Sequence, residues 1–118
     1  MTRLFALAAL LAATLAVAAT AGAHPTAHSA RTCAPGKYPG QGYFQRLVVT
    51  HVSCATGKRV MRAHYACRTK HGRKGYCPRV LGYRCKEIRN SISTEYNASV
   101  TCTRGSRKVV YYYQQFLD

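Results

Sequence analysis

Residues 54–68 read CATGKRVMRAHYACR. Five residues of this stretch, most of them apolar, lie 0, 3, 4, 7 and 10 positions after Gly57. They are Gly57, Val60, Met61, His64 and Cys67. This spacing is one stripe of an α-helix, and the cationic residues between these positions lie off the stripe. The sequence therefore predicts an amphipathic helix over residues 54–68, with the stripe facing a core.

Segments on both sides of this helix have the β-branched and aromatic composition of strands. They are residues 44–52 before it and residues 80–85, 98–102 and 108–113 after it. The last two are joined by Arg104-Gly105-Ser106-Arg107, which can form a hairpin turn because glycine adopts positive φ. The sequence predicts an α+β fold in which one amphipathic helix packs on a small, mostly antiparallel sheet of three to four strands.

The N-terminus has the pattern of a secretion signal. An uncharged, Ala-rich run over residues 4–23 ends at Ala21-Gly22-Ala23, the small-x-small pattern of a cleavage site. We interpret residues 1–23 as a signal peptide; a membrane anchor is the alternative, because about 20 uncharged residues can span a bilayer. We expect a secreted protein whose mature form has no transmembrane span.

The predicted mature chain is small and strongly basic. Removing residues 1–23 takes away one charged residue, Arg3, so 95 residues remain with a formal charge of +14. Residues 24–43 are rich in Pro and Gly and predict an irregular segment. Residues 44–118 then form one disulfide-stabilised domain, which is too short for the large enzyme folds of roughly 150 residues or more.

Six cysteines remain in the mature chain, at positions 33, 54, 67, 77, 85 and 102. Their spacing contains no close pair of the kind that forms zinc knuckles, so we expect three disulfides and no metal site. Cys54 and Cys67 lie roughly 20 Å apart along the predicted helix and cannot pair with each other. A short Cys67–Cys77 loop is one plausible bridge, and Cys54 is expected to staple the helix to the sheet.

Charge is the strongest functional signal. The chain has 18 Lys and Arg against 3 Asp and Glu, a balance that attracts polyanions such as anionic cell-wall polymers, lipid headgroups or extracellular nucleic acid. The alternative is that the charge serves only solubility. The predicted contacts lie between the helix and the next strand, and they are Arg62, Arg68, Lys70, Arg73, Lys74, Arg79 and Arg84.

Three consecutive tyrosines occupy the last predicted strand. Tyr111 and Tyr113 must face the side opposite Tyr112, because side chains alternate along a strand. An exposed row could stack bases or sugars. We favour packing, because a chain without Trp and with 3 Phe has little else that is bulky for its core.

An enzyme is the second class considered. A secreted nuclease would need two histidines, or a histidine and a glutamate, around a phosphate, and the candidates are His51, His64, His71 and Glu87. His64 lies on the apolar stripe and is interpreted as a packed residue. The chain has no Gly-x-Ser-x-Gly elbow and no well-placed pair of acids. The sequence favours a non-catalytic monomer without a small-molecule cofactor, with a nuclease, or a protein-directed inhibitor, toxin or antimicrobial module, as alternatives.

Copper binding is a further alternative at the predicted mature N-terminus. Cleavage after Ala23 would leave His24 first in the chain. Its α-amino group and imidazole could chelate Cu²⁺, with His28 or His51 as a further ligand.

Three short motifs resemble a known group of proteins. They are Val52-Ser53-Cys54-Ala55 at the helix start, Gly82-Tyr83-Arg84-Cys85 on a strand, and residues 100–105 (VTCTRG) running into Val109-Val110-Tyr111. Across roughly residues 46–113 the chain resembles small secreted, cysteine-containing proteins of actinobacteria. The resemblance implies an α+β fold and a location outside the cell, and it carries no catalytic residue.

Overall fold

The structure, a computed structural model, describes Gly22 and residues 29–117. Its elements in chain order are β1 (Arg31–Cys33), β2 (Gly42–Thr50), α1 (Cys54–Thr69), β3 (Arg79–Val80), β4 (Tyr83–Ser91), β5 (Glu95–Arg104) and β6 (Arg107–Phe116). The strands form one antiparallel sheet in the order β1-β2-β6-β5-β4-β3. The predicted packing of one helix on an antiparallel sheet is confirmed, but the described residues form six strands and not three to four.

The additional strands have no apolar run that sequence patterning could detect. β1 lies inside the segment that was predicted to be irregular, and it is held by pairing with β2 and by the Cys33–Cys54 disulfide. The strand predicted over residues 80–85 is broken at Leu81-Gly82, where both residues have positive φ, into β3 and β4. Short strands that depend on a partner or a turn are therefore missed.

The helix begins at its predicted residue and ends one residue later than predicted. Ser53 caps it, because its Oγ accepts a hydrogen bond from the Thr56 amide at 3.1 Å. The helix packs closely on the sheet at Gly57, where an added Cβ would lie 2.4 Å from Val49 Cγ1. The buried stripe is Gly57, Val60, Met61, His64 and Arg68, so Arg68 and not Cys67 completes it.

The core lies between α1 and one face of the sheet. Along β6, Val109, Tyr111, Tyr113 and Gln115 are buried on the helix side. Tyr112 is 38% exposed on the opposite face. The predicted split of the three tyrosines, with packing as the role of two of them, is confirmed.

All six cysteines form disulfides, as predicted. Cys67–Cys77 closes a short loop at the end of α1, and Cys33–Cys54 ties the helix to β1 of the sheet. Cys85–Cys102 joins register partners on β4 and β5. Each bridge contributes about 2 to 4 kcal/mol to a core of this size.

Residues 1–21 and 23–28, which include most of the proposed signal peptide, lie outside the described residues. The signal peptide therefore stays a prediction. No helix among residues 29–117 is long and apolar enough to cross a bilayer.

Candidate functional site

Three of the predicted polyanion contacts lie in one loop directly after α1. Lys70, Arg73 and Lys74 are exposed there, and we call residues 70–74 the basic loop. The chain returns close to the end of the helix directly after the loop, at Gly75. A Cβ at Gly75 would lie 2.1 Å from the Arg68 carbonyl oxygen. Arg73 donates a hydrogen bond to the Leu117 carbonyl. The loop is therefore fixed to the rest of the molecule and presents its charges in a defined place.

The remaining predicted contacts do not join the basic loop. Arg62 is exposed on α1, two turns before the loop. Arg79 and Arg84 are register partners on β3 and β4, and Arg84 also pairs with Thr103 near the far end of β5. The structure thus distributes the exposed predicted residues over three places.

Arg68 is not a surface contact, contrary to the prediction. Its side chain is fully buried, with Nη1 donating to Gln115 Oε1 at 2.7 Å and Nη2 donating to the Tyr38 hydroxyl at 2.7 Å. Its guanidinium carbon lies 4.1 Å from the ring centroid of Tyr113, a cation–π contact. The prediction was wrong because the residue follows His64 by four positions and so points into the core.

A second buried arginine lies beside the first. Arg89 forms an ion pair with Glu87 at 3.0 Å, and Glu87 also accepts a hydrogen bond from the Tyr113 hydroxyl. Burial raises the pKa of Tyr113, so its hydroxyl stays protonated and donates. We call the connected side chains the interior network: Tyr38, Arg68, Glu87, Arg89, Tyr113 and Gln115.

His64 is a packed residue, as predicted. It is fully buried, its Nε2 donates to the Cys77 carbonyl at 3.1 Å, and its Nδ1 accepts from the Tyr111 hydroxyl. Both ring nitrogens are used by a neutral imidazole in this arrangement. Burial lowers the pKa of His64, which agrees with the neutral form.

The residues considered for a nuclease do not meet at an accessible site. His64 and Glu87 are closed off from solvent, with Glu87 3% exposed. His51 precedes α1 and His71 follows it, so about 24 Å of helix separates them. No two of these four side chains therefore form a solvent-accessible acid–base pair.

One cavity of the described structure was not foreseen from the sequence. It has a volume of about 590 Å³ and lies between the start of α1 and the turns that follow β3 and β5. Its lining includes His51, Arg59, Leu81, Tyr83, Arg104 and Arg107. We call it the arginine pocket, because three arginines from three elements, Arg59, Arg104 and Arg107, line it.

The frame of the arginine pocket is built from tight connections. Arg104 and Arg107 are register partners across a two-residue turn, and His51 Nδ1 lies 3.0 Å from the Ser106 carbonyl oxygen in that turn. A Cβ at Gly82 would lie 3.2 Å from the Arg104 guanidinium, so this side chain crosses the Leu81-Gly82 turn. The sequence signal was present, since two arginines flank the predicted hairpin turn, but only the fold adds Arg59 to them.

A metal site and a family assignment find no support in the structure or the comparisons. Among the described residues no cluster of His, Cys, Asp and Glu could hold a metal ion. His24 and His28 of the copper alternative lie outside those residues. Comparison with known proteins finds no matching family model, curated protein or solved structure. The resemblance to actinobacterial secreted proteins stays a prediction.

Proposed function

We propose that this protein is a secreted, non-catalytic domain that binds anionic polymers by electrostatic attraction. The observation that carries the proposal is the distribution of charge: both described carboxylates are engaged by side chains of the fold, whereas most of the described cations are exposed. Three disulfides in a chain of this size support the extracellular location.

Neither described carboxylate is available to the exposed cations. Glu87 is buried and accepts a hydrogen bond from the Tyr113 hydroxyl. Its ion pair with Arg89 is the one ion pair within residues 29–117. Glu95 accepts hydrogen bonds from the side chains of Asn97 and Gln114. The third acid, Asp118, lies outside the described residues. The surface field is therefore positive with little local compensation, which draws in polyanions and raises association rates.

The basic loop is the contact that we assign to the polymer. Three exposed cations lie within five residues of this loop, and binding of a polyanion to them releases counterions. Anionic cell-wall polymer, anionic lipid vesicles and RNA are the polymers to compare, since all three offer such charge to a secreted protein.

The test is a salt series with the triple variant Lys70→Gln, Arg73→Gln, Lys74→Gln. We expect weaker binding, and a slope of log affinity against log salt that is smaller by roughly 2 on single-stranded RNA, because each phosphate contact contributes about 0.7. The control removes three charges elsewhere, with Lys58→Gln, Lys86→Gln and Lys108→Gln. An unchanged slope in the loop variant, or an equal loss in both variants, contradicts assignment of the contact to the loop, and RNA degradation in the same tubes contradicts the non-catalytic proposal.

A further inference from the structure

The arginine pocket differs from the rest of the basic surface, because it is concave and built from separate elements. Arg59 comes from the second turn of α1, Arg104 from the end of β5 and Arg107 from the start of β6. Within residues 29–117 these three guanidinium groups make no hydrogen bond or ion pair. Like charges that face one cavity repel each other, so the arrangement is most favourable with an anion between them.

Neither acid of the described residues lines this pocket. Its lining contains neither Glu87 nor Glu95, which are held in the interior network and on the outer side of β5. The positive end of the α1 dipole lies at the same place, since Thr56 of the first turn and Arg59 of the second turn both line the cavity. The charged side chains that line the site are therefore all arginines, and the helix dipole adds to their positive charge.

Backbone strain is concentrated at the same cavity. His51 has φ of 58° and Leu81 has φ of 49°, and they are the non-glycine residues with positive φ among the described residues. Both line the arginine pocket. Strained residues persist where the surrounding structure holds them in place, and they cluster at ligand sites.

The chemistry of the lining selects a class of ligand. Guanidinium groups bind phosphate oxygens in a bidentate, planar manner that an ammonium group cannot reproduce. A volume of about 590 Å³ falls within the range of small-molecule sites and is far larger than one phosphate group requires. Tyr83 and Leu81 provide an apolar wall for the remainder of the ligand.

We propose that the arginine pocket binds the phosphate group of a phosphate ester of about nucleotide size, with Arg59, Arg104 and Arg107 as its ligands to the phosphate. This site is additional to the polymer contact on the basic loop, because the two lie beyond opposite ends of α1. The phosphate can belong to a free metabolite or to the terminal unit of a polymer, and the probes below separate these sources.

The experiment is calorimetric titration of the oxidised protein with inorganic phosphate, a nucleoside 5′-monophosphate, the corresponding nucleoside, and an oligonucleotide with or without a 5′-phosphate. We expect the monophosphate to bind more tightly than inorganic phosphate and the nucleoside not to bind. A gain for the 5′-phosphorylated oligonucleotide over its unphosphorylated form assigns the site to a chain end, and equal affinity of the two assigns it to the free ester.

Variants locate the binding. Arg104→Gln with Arg107→Gln should weaken monophosphate binding by at least about tenfold, since charge-assisted hydrogen bonds are lost. Arg59→Gln, on α1, should also weaken monophosphate binding and serves as a second test if the hairpin variant does not fold. Arg107→Lys keeps the charge but should still lose affinity. The basic-loop variant is the matched control and should bind the monophosphate within about twofold of wild type.

Each result bears on one of the two proposals. Wild-type monophosphate affinity in the Arg59 and Arg104/Arg107 variants overturns the phosphate site, and so does nucleoside binding as tight as monophosphate binding. Loss of monophosphate binding only in the basic-loop variant overturns it as well. Polymer binding is measured on the same proteins. If none of them binds a polymer, the proposed function fails, but the monophosphate titration still tests the phosphate site.

Discussion

Five arginines lie near the two ends of α1 under opposite conditions. Arg68 and Arg89 are enclosed at the C-terminal end, where Gln115, Tyr38 and Glu87 accept their hydrogen bonds. The three arginines of the pocket lie at the N-terminal end, with no such acceptor among residues 29–117. The same side chain is therefore enclosed by acceptors at one end, and at the other, where we propose a ligand site, the described residues supply it with none.

Two cavities in the described part of the structure show the same division. A smaller cavity of about 330 Å³ lies beside the interior network, and its one arginine, Arg73, is bound to the Leu117 carbonyl. The arginine pocket has three arginines and neither described acid. The difference teaches that charge count alone does not distinguish these arginines; whether the fold supplies an internal acceptor does.

The largest expected effect is on the stability of the interior network. Arg68→Met removes the two hydrogen bonds and the cation–π contact of a fully buried side chain, and it should lower the free energy of unfolding by about 2 to 4 kcal/mol. Arg59→Met lies nine residues earlier in the same helix and should stay within about 0.5 kcal/mol of wild type, because it breaks no internal contact. Urea denaturation at one pH measures both.

The salt dependence of the same pair sharpens the comparison. Arg59→Met relieves repulsion in the pocket, so its stability relative to wild type should be greatest at low ionic strength and decline as salt is added. Arg68→Met should show little such dependence, since buried interactions are poorly screened. Equal costs for the two substitutions would show that burial does not separate the two groups of arginines.

The second expected effect is a pH dependence at the buried end. Burial lowers the pKa of His64, so below its ordinary value of about 6.5 the unfolded chain binds a proton that the folded protein does not. This contribution to stability is present above pH 6.5 and is lost as the pH falls, with a limiting slope of about 1.4 kcal/mol per pH unit. His64→Gln should flatten the decline between pH 7 and pH 5.

A destabilising variant without a titrating group provides the control for this slope. Met61→Ala, in the same buried stripe, should lower stability at every pH and keep the wild-type decline. Chemical denaturation across the pH series measures all three proteins. A His64→Gln protein with the same decline as wild type would show that the proton uptake belongs to other groups.

The fold was predictable where local periodicity matches the core. The stripe of α1, the alternation along β6 and the turn at Gly105 all follow from side-chain spacing, and the structure has each of them. β1 and β3 could not be predicted, because they are short and polar and depend on a disulfide and on a turn. β4 continues to Ser91 through Glu87 and Arg89, whose polar side chains are bonded within the interior network and, for Arg89, also to the carbonyl oxygens of Lys74 and Gly75.

The place of the candidate site was not predictable from the sequence, and its anionic ligand stays a prediction. Charge composition predicted an anionic ligand. The sequence pattern, however, predicted Arg68 as a surface contact and did not group Arg59 with Arg104 and Arg107. The pocket forms where a helix and two hairpin turns meet in the tertiary structure. Because these segments are far apart in the sequence, local patterns do not show that they are neighbours. Arg104 and Arg107 are adjacent because of one turn, whereas Arg59 reaches them only through the packing of α1 on the sheet.

The smallest expected effect concerns strain at the pocket end, which has no counterpart among non-glycine residues at the buried end of the described structure. Leu81 and Gly82 both have positive φ, the pattern of a hairpin turn in which Asn-Gly is preferred over a residue with a bulky side chain. Leu81 is 50% exposed, so its replacement forfeits little buried area. Leu81→Asn should therefore raise the free energy of unfolding by up to about 1 kcal/mol. The control Leu81→Ala removes the same apolar side chain without easing the left-handed backbone, so it should give no gain in stability. Thermal denaturation measures both variants. If Leu81→Ala stabilises as much as Leu81→Asn, strain is not the cause, and the pocket end is no more strained than the rest of the fold.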